Sequence, residues 1–129
     1  MKKLLIPLFL AMPLITQAGN APQEINSYFE RPNTSDVDLT DGTLWIKMNF
    51  EEAIPQELAK SVIFSDVCLD MYLSPERWEK YAIKKIKVTT LSEYKAYIFN
   101  GGPKECNAYL MGEEEKYGKA PYFEVWERK

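Results

Sequence analysis

The chain has 129 residues, with 16 basic side chains against 19 acidic ones and no histidine. That length suits one domain, and a 46% hydrophobic, 27% charged composition excludes a disordered or collagen-like chain. Lacking histidine, it cannot use imidazole catalysis or the commonest metal ligand, and its mild acidity argues against binding nucleic acid.

The N-terminus carries the clearest signal. Lys2 and Lys3 precede an uncharged run over residues 4–15, and Thr16-Gln17-Ala18 offers small residues at both positions a signal peptidase reads. This three-part pattern predicts a secretory signal peptide over residues 1–18, cut after Ala18. The apolar run is shorter than the roughly 20 residues a spanning helix needs, and it contains Pro7 and Pro13. The mature chain is therefore expected to start at Gly19 and not to span a membrane. Loss of Lys2 and Lys3 moves its net charge from −3 to −5.

Residues 19–41 are polar and broken by Pro22 and Pro32, which predicts an extended lead-in to a single domain over residues 42–129. After the Asp41-Gly42 turn signal, Leu44, Ile46, Met48 and Phe50 alternate with Trp45, Lys47 and Asn49, the period of a half-buried strand. Pro55 suits the first turn of a helix over 56–72. Its apolar residues form no single stripe, and the alternation around Cys68 leaves a strand open there. Ser74-Pro75-Glu76 can begin a short helical turn. Residues 83–91 and 94–100 read as two strands joined by a short turn, with Ile86 and Val88 on one face and Lys85 and Lys87 on the other. Lys80, Lys84, Lys85 and Lys87 read as the wet face of an edge strand. Residues 104–111 suit one or two helical turns, 112–120 a polar loop, and 122–127 a last strand.

This order predicts an α+β fold: a small antiparallel sheet of about four strands, covered by one main helix. Cys68 and Cys106 are the only cysteines, and in an exported protein a single pair reads as one disulfide.

No catalytic motif is present: no G-x-S-x-G, no P-loop, no dinucleotide fingerprint and no calcium loop. The sequence thus predicts a protein that is not an enzyme and needs no cofactor or metal. Candidate partner-binding residues fall into two sets. Glu113, Glu114 and Glu115, with Tyr117 beyond them, form an acidic stretch suited to a basic protein partner. Trp45, Tyr122 and Trp126 sit on the polar side of strand alternations, where rings either lie under a second layer or face a partner. The leading expectation is an exported, periplasmic binding protein that occludes another protein, such as an immunity protein against an antibacterial toxin or an inhibitor of a cell-wall hydrolase. The alternatives are an accessory subunit of an envelope secretion or pilus assembly, using strand addition at 94–99 or 122–126, and a binder of small ligands.

Overall fold

The computed structural model describes residues 21–30 and 32–128; the expected signal peptide lies outside them. The fold is α+β, with one mixed sheet of five strands in the order β1-β2-β3-β4-β5. The strands are β1 (Thr34–Thr40), β2 (Thr43–Met48), β3 (Lys85–Thr89), β4 (Lys95–Phe99) and β5 (Phe123–Glu127).

The residues expected as an extended lead-in contain a helix, α1 (Gln23–Tyr28), and the edge strand β1. Ile25, Phe29 and Val37 from this segment join the core. A two-residue turn links β1 to β2, with Asp41 at φ 51° and Gly42 at φ 80°. Positive φ at both central residues is the geometry that favours Asp-Gly in a tight hairpin, because its twist matches that of the strands.

The sheet is not wholly antiparallel. β2 and β3 run parallel, with Leu44 beside Ile86 and Ile46 beside Val88. Parallel neighbours need a long crossover, and the helices between Met48 and Lys85 supply it. The remaining neighbours, β1–β2, β3–β4 and β4–β5, are antiparallel. β3 is consequently a central strand, so its lysines do not guard an edge.

Several helices, rather than one, cover the sheet. The crossover begins with α2 (Gln56–Lys60), passes into a π-helical segment (Ser61–Cys68) and ends as α3 (Leu69–Leu73). The helical reading of 56–72 holds, and no strand forms around Cys68. Wider i→i+5 bonding buries Val62, Ile63, Phe64, Val67 and Cys68, a set that a 3.6-residue period cannot align in one stripe. α4 (Pro75–Trp78) follows, with Pro75 in its first turn. Trp78 is fully buried, edge-on to Tyr28 and Phe29. Its indole N–H donates to Asp70 Oδ2 at 2.6 Å, and Arg77 Nε donates to the same oxygen at 2.8 Å.

Gly101-Gly102-Pro103 ends β4 and starts α5 (Pro103–Leu110). Any Cβ on Gly102 would lie 1.9 Å from the Ile83 carbonyl oxygen, so glycine is required where these backbones touch. The Gly102 N–H donates to the Glu105 carboxylate at 2.9 Å, which caps the helix. One turn later Cys106 bonds to Cys68, pinning α5 to the π-helical segment. The expected loop at 112–120 contains a short helix, α6 (Glu114–Tyr117).

Candidate functional site

The seven residues expected to bind a partner separate onto two surfaces. Trp45 and Trp126 share the sheet face opposite the helices, on strands β2 and β5. Glu113, Glu114, Glu115 and Tyr117 lie at the corner formed by α5 and α6, within or beside α6. Tyr122 joins that corner, its ring centroid 4.4 Å from that of Tyr117.

On the helical side, α2, the π-helical segment, α5 and α6 enclose an open groove of about 460 Å³. Phe64 and Tyr109 build its floor, stacked 3.8 Å apart with planes only 3° from parallel. Phe64 is held from behind by Phe99, edge-on at 5.0 Å, so the stack stands on the core. Leu69 and Leu110 extend the apolar lining, and the acidic residues Glu57 and Glu114 line the groove as well. Burial, together with the Glu114 charge, holds the Tyr109 hydroxyl above the ordinary phenol value, so the ring remains neutral. Lys60 also lines the groove, its ammonium 4.8 Å from the Phe123 ring centroid.

A groove lined by aromatic rings and carboxylates can receive a basic side chain. A guanidinium or ammonium gains from both the ring face and the acid, and its aliphatic stem covers apolar surface. The acidic run Glu113–Glu115 was legible in the sequence. Phe64, Leu69, Tyr109 and Leu110 were not, because they come from two segments some forty residues apart that meet only in the folded chain. The available clue was the apolar run Tyr109-Leu110-Met111, separated from the acids by Gly112 alone.

The opposite sheet face has no helix over it among the described residues, which leaves a ring-bearing surface uncovered. Trp45 lies flat there, its indole N–H donating to Thr89 Oγ1 at 2.8 Å. Lys87 and Lys47 approach the same ring at 4.2 and 5.2 Å. Lys47 also pairs with Glu93 at 2.8 Å, and this hydrogen bond holds the Glu93 carboxyl below its ordinary value. Trp126 remains 51% exposed. Three strand spacings, roughly 14 Å, separate it from Trp45. A notch of about 140 Å³ opens beside Trp45, lined by Asp36, Asp38 and Lys47. It is well below the roughly 300–1,000 Å³ of ordinary ligand pockets.

Among the described residues no group of three or more acidic or cysteine side chains could hold a metal ion. No described helix is long and apolar enough to cross a membrane. No family model matches the chain, and no curated protein or solved structure matches it significantly.

Proposed function

We propose that this is an exported binding protein that occludes a basic protein partner, using the groove between the π-helical segment and the α5–α6 corner as its anchor site. One observation carries the reading: the stacked Phe64–Tyr109 pair lines the same groove as Glu57 and Glu114, with the Glu114 charge close enough to act on the Tyr109 hydroxyl. This combination suits an arginine or lysine presented on a protein surface, with Glu113 and Glu115 extending the acidic field around it. The export pattern at residues 1–18 and the Cys68–Cys106 disulfide favour an oxidising compartment, the periplasm or the exterior. An immunity protein against a toxin, or an inhibitor of a cell-wall hydrolase, would have this form: a stapled scaffold with a few anchors and no catalytic machinery.

The test is a capture from envelope extract and culture medium with the tagged mature chain, at low and high salt, read by mass spectrometry. One stoichiometric basic protein, weakened by salt, is the expected result. The same partner should associate more slowly with the Glu113→Gln/Glu114→Gln/Glu115→Gln variant, and with a shallower salt dependence. It should dissociate faster from Tyr109→Ala, because rim charges govern encounter and buried anchors govern release. A partner indifferent to both variants would remove the groove from the account.

A second reading has its own observation. β5 is an edge strand, which suits an accessory subunit of an envelope assembly joined by strand addition. β4 pairs on both sides, so the other segment expected to add a strand, 94–99, has no free edge. Recovery of several envelope subunits in the same capture would favour this reading.

A further inference from the structure

The two edges of the sheet are built differently. β1 carries a register shift between Thr34 and Asp36, follows Pro32, and bears the carboxylates of Asp36 and Asp38. Bulges, proline and charge are the usual protections of an edge strand. β5 is regular throughout its pairing with β4. Beyond Phe123 its residues are all exposed, including Val125 at 45% and Trp126 at 51%.

The direction of its free backbone groups follows from its neighbours. Asn100 N–H donates to the Tyr122 carbonyl at 2.7 Å, and Arg128 N–H donates to the Tyr94 carbonyl at 2.8 Å. Even-numbered residues from Tyr122 to Arg128 therefore turn their backbone groups toward β4. By antiparallel alternation, Val125 and Glu127 turn their N–H and C=O groups outward. The Phe123 N–H is already used by the Lys119 carbonyl at 2.9 Å.

We infer that β5 is a self-association edge, and that its occupant is β5 of a second copy of this chain, antiparallel about a two-fold axis through Trp126. In that register Val125 exchanges hydrogen bonds with Glu127 of the second copy, and Glu127 does so with Val125, four bonds in all. Glu124 then lies opposite Arg128 of the second copy, and Arg128 opposite Glu124. Two opposite-charge cross-strand pairs thus flank a central Trp126 pair on the uncovered sheet face. The segment Glu124-Val125-Trp126-Glu127-Arg128 is self-complementary about its middle residue. An axis through Val125 would instead place Glu124 against Trp126 and form no charge pair. Among the described residues Glu124 accepts from Asn100 Nδ2 at 3.1 Å, and Arg128 donates to the Glu93 carbonyl at 3.4 Å while its charge also acts on the Glu93 carboxyl. An edge this short buries far less than the roughly 1,200 Å² of a standard interface, so the dimer is weak and concentration-dependent.

Sedimentation equilibrium of the purified protein over a wide concentration range, with Trp126→Cys crosslinking beside it, tests the proposal. A monomer–dimer equilibrium is expected, and Trp126→Cys should form an intermolecular disulfide while Cys68–Cys106 stays intact. The central pair is not hydrogen-bonded, which places its Cα atoms roughly 4.5 Å apart, within reach of such a bond. Val125→Pro removes an outward N–H that β4 does not use, and should give a folded monomer by circular dichroism. Should that variant misfold, the charge pairs decide: Glu124→Arg and Arg128→Glu should each weaken the dimer, and the double exchange should restore it. A monomer at every concentration would overturn the proposal. So would a dimer that a folded Val125→Pro leaves intact, or one that the double exchange fails to restore.

Discussion

The two faces of one sheet solve the same burial problem by different means. On the covered face Leu44, Ile46, Ile86, Val88 and Phe99 are fully buried beneath the helices, and stability follows from the apolar area removed from water. On the other face the same strands bury Thr89 and Ala96 to 2% exposure with no helix above them. Trp45 does this at Thr89, its indole N–H bonded to the threonine hydroxyl, while Ala96 sits between β3 and β5 with Trp126 as its β5 neighbour. One face is thus kept dry by a helical layer, and the other by the sheet's own side chains, which leaves Trp126 half exposed.

This contrast predicts a graded response to substitution. Ile86→Ala, on the covered face, should cost about 2–5 kcal/mol in urea unfolding, since it removes packed methyl groups and leaves a cavity. Replacing both cysteines by alanine should cost about 3–4 kcal/mol, as the bond closes a loop of 38 residues and joins two core helices. Trp45→Ala should cost only about 1–2 kcal/mol, through the lost cover over Thr89 and the lost indole bond. Were Trp45→Ala to cost as much as Ile86→Ala, the uncovered face would be a second core and the contrast would fail.

The smallest effect concerns pH. The hydrogen bond from Lys47 lowers the Glu93 carboxyl, so its folded value lies below its unfolded one. Its contribution is complete above the ordinary carboxylate range and is lost as the pH falls through the folded value. Because both partners are partly solvated, the amount stays below about 1 kcal/mol. Glu93→Gln should thus be slightly less stable than the parent at neutral pH and equal to it in strong acid, as followed by thermal melting. A difference persisting in acid would point to packing rather than charge.

Much of the covered face was readable from the sequence. The alternations at Leu44–Met48 and Ile86–Val88 reported their inward sides correctly, and Cys68 and Cys106 are bonded as expected. β1 was hidden because Thr34, Ser35, Asp36, Asp38 and Thr40 look like a loop, and Val37 is the one buried residue in the strand. The parallel pairing of β2 with β3 was not legible, although strand–helix–strand order is its usual signature; the one hairpin read in the sequence, over 83–100, favoured antiparallel pairing. At the groove, the acids were visible and the floor was not. Charge runs are contiguous in a chain, whereas Phe64 meets Tyr109 only after two helices have been joined.

The groove's two walls belong to segments that the Cys68–Cys106 bond joins, and forming that bond requires an oxidant. Without it, the segments carrying Phe64 and Tyr109 are held against each other by packing alone, so the wall spacing becomes a property of the redox state of two sulfurs.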